Sequence, residues 1–547
     1  MNRKRLIALF TVICLLLSAL TGCELVSDWF SFAVPSAPAS PSPTGEAEEP
    51  EIPDFPGEIP EEAAFIDDGR FTLLWDSDKT LNPYTSGSKY NLAIGGLLYE
   101  GLFSINADFS WEAVLCDSYS TEDGITWLFA LKDGIKFSDG SPLGIFDVIG
   151  SINTARAAGR FRERLRDVRG AEVAEDGKIR VTLAQPNYDF PALLDFAIVK
   201  DSTAYTEQPT GTGAYFFVAA DNSAEFVDGV ASAYLSANGN FREFAELSLS
   251  TIYLAHYGRE DLIEAFESGA LDAIVQNPSD VGSLSFGGDN EKRAYTTTRL
   301  HFVGFNTSLT SASGFCSEPG RRVILASLID RLALTNSVLP DCVPANLPVP
   351  DTHRYYNAAA ARTALYGSEQ IPEMSARLMI GDFDGDGYIE YFENGTQLHE
   401  FKLTMIVHKE NFIKVAAAKQ IADKLNSLGF ETELLELDWD SYNLAINKGE
   451  YDLYYGSIQL TKDFSLAALF SANSDLRTLN SEFLAAGWGL EKLVAAQEIY
   501  IASGQAAEWT PVAFERAGVI THRLSLPAED GKWTIDDYAK RLYRALY

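Results

Sequence analysis

Short runs of alternating apolar and polar residues recur along most of the chain, separated by longer stretches of helical spacing. RFTLLW at 70–75, ITWLFAL at 125–131 and KIRVTL at 178–183 alternate as strands do, with Ile179, Val181 and Leu183 on one face. YNLAIGGLLYEGLF at 90–103 instead carries its apolar residues three and four apart, which predicts a helix. KVAAAKQIADKLNSLGF at 414–430 predicts an amphipathic helix with Gly429 as a left-handed C-terminal stop. ETELLEL and YDLYYGSI follow it as strands. Short strands alternating with longer helices predict an α/β protein.

The N-terminus departs from this pattern. Arg3, Lys4 and Arg5 precede a nearly all-apolar run at 6–20, too short for a comfortable membrane span and suited to a signal sequence. Leu20-Thr21-Gly22-Cys23 resembles the lipobox of bacterial lipoproteins. The resemblance implies lipidation of Cys23 and retention on the outer face of the cell membrane, periplasmic if there is an outer membrane. Residues 24–66 are rich in Pro, Ser, Ala and acidic groups, with too little apolar content for a core, and read as a disordered tether. The remaining stretch of roughly 480 residues exceeds one usual core, so two or more domains are expected. No later apolar run is long enough to span a membrane.

The formal net charge of −34 opposes nucleic acid and anionic lipid as partners. Past Cys23 the cysteines are Cys116, Cys316 and Cys342, which cannot all pair. A Cys316–Cys342 disulfide and three buried free thiols both stay open. No phosphate-binding loop, GxSxG elbow or CxxC pair occurs, and the zinc-protease start His399-Glu400 has Leu403 where the second histidine belongs. No nucleophile sits beside a base, so no enzyme is expected. One segment, GDFDGDGYIEYFENG at 381–395, has calcium-loop spacing. Asp382, Asp384 and Asp386 occupy positions one, three and five, Gly387 six, Tyr388 seven through its carbonyl, and Glu393 twelve as the bidentate ligand. A structural calcium and a metal-free acidic hairpin are the two readings; neither defines the function, and no other cofactor is required.

WLFALKDGIKFSDGSPLGIFDVIGSINTAR at 127–156 carries a family likeness through Lys136, Phe137, Asp139, Gly140, Asp147 and Val148. LNPYTSG, WEAVLCDSYS, PTGTGAYFF, HFVGFNTS, RRVILASLIDR and GFETELLELDWDSYNLAINKGEYDLYYG extend it in order. Together they resemble the family 5 solute-binding proteins of ABC importers, the oligopeptide-, dipeptide- and nickel-binding type. The resemblance implies the two-lobed periplasmic-binding-protein fold of the large peptide-binding subclass, with lobe one at 67–300, lobe two at 301–503 and a return to lobe one at 504–547. It implies a ligand held between the lobes by hinge closure, presentation of the loaded form to a membrane permease, and a monomer. A surface ligand sensor of the same fold, not coupled to import, is the alternative.

Carried over position by position, the ligand would meet the loop Tyr84, Thr85, Ser86 and Gly87. It would also meet the strand end Tyr455, Gly456, Ser457, Ile458 and Gln459, with Trp439 lining the cleft. Leu460 stands where peptide binders of this family place an aspartate against the peptide ammonium. A leucine cannot neutralise a buried ammonium. Asp463 is then the candidate anchor, and the neighbouring Lys462 could instead attract a carboxylate or phosphate.

Overall fold

The structure is a computed structural model and describes residues 70–219, 233–247, 249–276, 286–288, 290–308, 311–393, 395–470 and 474–522. Cys23, the signal sequence, the tether and residues 523–547 lie outside the described residues.

Alternation in the sequence is matched by strands at Thr72–Leu74, Thr126–Leu131 and Ile179–Leu183, and later at Thr432–Leu437 and Leu453–Gln459. The amphipathic stretch forms the helix Phe412–Ser427, started by Asn411 accepting from the Lys414 amide at 3.0 Å and ended by Gly429 at φ 86°. The helix expected over 90–103 is shorter, Lys89–Leu98. Tyr99 is already extended, and Glu100 forms a β-bridge with Ile198, so tertiary pairing claims the residues that helical spacing would continue. The PTGTG loop explains itself at Gly213, whose amide donates to Leu98 O at 3.0 Å. A side chain there would put a Cβ 2.4 Å from Leu97 O. Asp147 accepts from the Gly144 amide at 2.9 Å and so starts the helix Ile145–Ala157.

An eleven-stranded mixed sheet organises the described residues. Its order runs Thr432–Leu437, Leu403–His408, Leu453–Gln459, Asn290–Phe305, Trp509–His522, Ala273–Gln276, Thr72–Leu74, Thr251–Ala255, Ala233–Ala237 and Tyr215–Val218, with Cys342–Pro344 branching onto Trp509–His522. The two long central strands pair antiparallel along most of their length, with register shifts after Thr296 and His301. A separate four-stranded sheet holds Cys116–Thr121, Thr126–Leu131, Ile179–Leu183 and Val168–Val173.

Two apolar cores flank the central strands. One gathers residues from Phe71 to Val275 together with Val519. The other gathers Val303 to Tyr455 together with Val512 and Ala513. A third cluster joins Phe109, from the first half of the chain, to Leu300, Leu460, Phe464, Phe483 and Phe514. Trp509–His522 thus runs through both cores, Asn290–Phe305 reaches the second core and the third cluster, and Phe109 ties the halves together away from them. Cys116, Cys316 and Cys342 are all free and buried, so the open disulfide question resolves to thiols. None of the described helices is long and apolar enough to cross a membrane.

Candidate functional site

Three consecutive residues, reached by the chain just after the strand Ile179–Leu183, stitch the two halves. Asn187 Nδ2 donates to Asp463 Oδ2 at 2.8 Å, and the Tyr188 amide donates to Leu484 O at 2.9 Å. Asp189 Oδ1 accepts from Arg354 Nη2 and from the Tyr355 hydroxyl, both at 3.0 Å. Its Oδ2 lies 3.0 Å from Lys492 Nζ, close enough for an ion pair though not aligned as a hydrogen bond. Asp189 and Lys492 are 1% and 0% exposed, so this pair is taken wholly out of water. Trp488 then reaches across to donate from Nε1 to Tyr188 O at 2.9 Å. Its ring sits among Tyr188, Trp127, Trp111 and Tyr119, with centroids 5.9–6.4 Å away.

Beside this stitching are two cavities that share Arg164. The first, about 110 Å³, lies between the helix Lys89–Leu98 and residues 195–197, with Leu81 and Pro83 at its edge. The second, about 40 Å³, lies on the seam itself and is lined from one half by Arg164 and Asn187 and from the other by Gln459, Leu460, Thr461 and Asp463. Arg164 pairs with Asp195, and Asp195 also pairs with Lys462 from the opposite half. The seam therefore brings a cation from each side onto one carboxylate.

The carried-over residues divide. Gln459 lines the seam cavity and also donates to Thr298 Oγ1. The loop is less open than expected. Tyr84 is buried and its hydroxyl donates to Ala197 O at 2.7 Å, and buried Ser86 accepts from the Ser88 amide, while Thr85 and Gly87 face solvent. Tyr455 is in the second core with its hydroxyl 3.0 Å from His301 Nδ1. Gly456 pairs with Phe302, and Ser457 and Ile458 are half-buried along the same strand.

Three placements correct the carry-over. Trp439 is 57% exposed and stacks on Tyr442 beside His408; it lines neither cavity, because Asp438 caps a helix that begins at Trp439 and turns its ring outward. Asp463 is buried and accepts from Asn187, Thr461 and the Ser465 amide, so it bridges the halves; burial pushes its carboxyl above the usual range, which disfavours the charged form an ammonium would need. Glu393 does not complete the acidic loop. Asp382, Asp384, Asp386 and Glu390 converge, with one oxygen from each within 4.8 Å of the others, whereas Glu393 is on the strand Glu390–Glu393 paired to His399 at 3.1 Å. The strand begins at Glu390, so the later glutamate is carried away from the loop. Leu460 needs no ammonium role either: it packs with Phe109 and Phe464 in the cluster that joins the halves.

The seam residues 187–189, Arg164, Asp195 and Lys492 were not picked out by motif. A tryptophan set between two glycines, AGWGL at 486–490, was the one local signal that a ring was being presented to a partner surface.

Two α/β halves joined by long central strands, with one cavity on the seam between them and a second beside it, define a two-lobed binding protein. The chain belongs to the bacterial extracellular solute-binding proteins, family 5, whose model matches residues 111–474. Among curated relatives, the glutathione-binding protein GsiB of Escherichia coli (strain K12) is 29% identical over 149 residues, 25% of this chain and 29% of that protein. The GsiB of Shigella flexneri is 28% identical over the same length and coverage. The match therefore spans under a third of these relatives. Solved structures share the fold. The nickel ABC transporter protein of Bacillus halodurans superposes with TM-score 0.65 at 15% identity, covering 86% of this chain and 98% of that one. NikZ of Campylobacter jejuni, in complex with Ni(L-His), gives 0.56 at 15%, covering 84% and 95%. The oligopeptide-binding protein AppA of Bacillus subtilis, in complex with a nonapeptide, gives 0.55 at 16%, covering 87% and 98%. These relatives are binding and transport proteins, not enzymes.

Proposed function

We infer that this chain is the lipid-anchored receptor of an ABC importer, taking an oligopeptide or similar small solute at the seam and closing over it by a hinge. The observation that carries the reading is the seam itself, where Arg164 and Asn187 from one lobe and Thr461 and Asp463 from the other enclose a cavity, and Lys462 reaches across to Asp195. The continuous strands Asn290–Phe305 and Trp509–His522 are the hinge in this reading, since they pair along most of their length and Trp509–His522 enters both cores. Closure selects one of two states by differential binding and needs no covalent chemistry. Cys23 carries the lipid, and the permease reads the closed surface of a monomeric receptor.

Cells lacking the chain are expected to lose uptake of a short-peptide mixture, and the wild-type gene to restore it. The Cys23→Ala form is expected in the soluble fraction. Unchanged uptake in the deletion strain would turn the reading to a sensor of the same fold, and detergent-only extraction of processed Cys23→Ala would remove the lipid anchor.

The acidic loop is proposed as a structural calcium site. Four carboxylates of the kind a hard cation prefers converge there, and Gly387 at φ 92° supplies the bend. Calcium at a hundredfold excess over its Kd should stabilise the chain by about 2.7 kcal/mol. Chelation is expected to lower the melting temperature. Glu390→Gln should abolish that response and Glu393→Gln should leave it. A melting curve indifferent to chelator and millimolar calcium would leave a metal-free hairpin.

A further inference from the structure

We propose that the lobes turn about a bulge at Thr297, Thr298 and Arg299, where Thr298 ties the pivot to the seam and Arg299 opposes closure. This rests on the solute-binding reading above and names the positioning residues that set the balance between its two states.

The strand Asn290–Phe305 changes neighbours at this point. From Arg299 to Phe305 it pairs with residues 453–459 on one side, and from Leu300 to Gly304 with residues 509–514 on the other. From Asn290 to Thr296 it pairs with residues 516–522 alone among the described strands. The partner strand is braced in the same way. Ala273–Gln276 pairs with it from Gly518 to Thr521, and Cys342–Pro344 from Ala513 to Glu515, which leaves Arg516 and Ala517 between the two braces. The link between the lobes is therefore narrowest, two strands wide, beside the bulge. There Thr296 pairs with Arg516 and Leu300 with Phe514, so Thr297, Thr298 and Arg299 face the single residue Glu515. Extra residues interrupt the ladder and bend the strand, so the dihedral changes of closure fall most easily here.

Thr298 is buried, lines neither cavity and holds both backbone groups of Leu460. Its carbonyl accepts from the Leu460 amide at 3.0 Å, and its hydroxyl donates to Leu460 O at 2.7 Å. The same hydroxyl accepts from Gln459 Nε2. Gln459 and Leu460 line the seam cavity, so a solute there meets residues one bond away from the pivot. Arg299 acts the other way. With the seam contacts made, its Nε is buried, makes no hydrogen bond among the described residues and lies 3.8 Å from Glu515 Oε2. Glu515 is held in place through its other oxygen, 2.7 Å from His301 Nε2. A buried donor short of its acceptor is unfavourable. Turning at the bulge moves Arg299 relative to Glu515, and the open state, in which this pair closes to hydrogen-bond distance, is favoured by the contact.

The test places spin labels on the full mature chain through Tyr205→Cys on lobe one and Leu332→Cys on lobe two, both exposed. The native thiols Cys116, Cys316 and Cys342 are buried, and Cys23 carries the lipid. Pulsed electron resonance reads the open and closed populations without solute and with the short-peptide mixture. Thr298→Val keeps the shape and loses the hydroxyl, and should lower the closed-to-open ratio about fivefold, the scale of one hydrogen bond. Thr298→Ser should restore it. Arg299→Gln should raise the ratio about threefold. Affinity follows the closed population, so Thr298→Val should bind the mixture more weakly and Arg299→Gln more tightly, although neither residue lines a cavity. A general loss of stability does not give opposite signs at neighbouring residues. The proposal is overturned if both variants match wild type, if both shift the ratio the same way, or if Thr298→Ser behaves as Thr298→Val does. Should Thr298→Val not fold, Arg299→Gln decides alone, and a ratio at or below wild type overturns the proposal. Those failures leave closure standing with its pivot elsewhere. A single wild-type distance, unmoved by a mixture whose uptake the chain supports, would remove hinge closure and this pivot together and leave the receptor.

Discussion

Asp189→Asn is expected to destabilise the chain by about 3–5 kcal/mol, the cost of leaving a buried charge without its partner. Asp189 and Lys492 are almost wholly buried and lie on opposite halves of the seam. With the carboxylate gone, the Lys492 ammonium keeps only the carbonyls of Phe483 and Leu484, at 2.7 and 3.3 Å, and the face of the Phe483 ring. Burial already pulls the Lys492 ammonium below its usual range, with Asp189 opposing the fall. Arg354 loses its ion pair in the same step, and the one amide oxygen that remains cannot serve both Lys492 and the Arg354–Tyr355 pair. Urea unfolding at pH 7 measures the loss. Lys492→Met placed on top of Asp189→Asn should recover part of it, because the stranded charge is removed as well. A single-variant loss below 1 kcal/mol would mean that water reaches this pair and that the seam is looser than its geometry.

Acid should loosen the same seam through His353. The ring is buried against Phe109, Tyr355 and Phe464, with centroids 5.6, 5.1 and 4.2 Å away, so it touches both halves of the molecule. Its Nδ1 accepts from the Tyr355 amide at 3.0 Å and therefore carries no proton. Burial, then the charge of Arg354, push His353 down to about 3, with Asp108 opposing. The native state thus binds fewer protons at this site than the unfolded chain between about pH 6.5 and 3. Stability from His353 is complete above pH 6.5 and is lost as pH falls, by about 1.4 kcal/mol per unit. By pH 5 the loss should reach about 2 kcal/mol. His353→Gln keeps an acceptor for the Tyr355 amide and cannot titrate, so its stability should fall less steeply. Parallel curves for the two proteins between pH 4.5 and 7 would remove His353 from the acid response.

Much of the fold is legible in the chain because it depends on neighbours. Alternation at Ile179, Val181 and Leu183 puts all three in the first core, since side chains two apart on a strand share a face. Asn411 and Gly429 bound the helix Phe412–Ser427 through hydrogen bonds and backbone angles a few residues away. Where the reading overran, a distant partner had intervened. Helical spacing continues past Leu98, yet the chain leaves the helix to pair Glu100 with Ile198. Four carboxylates converge in the acidic loop, and the fourth is Glu390 where the spacing points to Glu393, because the start of a strand, not the count of residues, decides which glutamate faces inward.

The sequence by itself determined the class of this protein: α/β elements in order, the motifs of a solute-binding family, and an acidic loop. Each of those depends on residues close together in the chain. Only the tertiary structure decided what the seam does. Lys462 and Asp195 are 267 positions apart, Asp463 and Asn187 are 276, and Arg354 and Asp189 are 165. Among 77 acidic and 43 basic residues no local pattern marks these few. What singles them out is burial, which raises the cost of an unpaired charge from negligible at the surface to several kcal/mol inside and so makes each partner matter. Asp463 shows the difference: as a residue near Leu460 it invited the role of ligand anchor, and as a buried carboxyl already held by Asn187 and Thr461 it is part of the contact that joins the two halves.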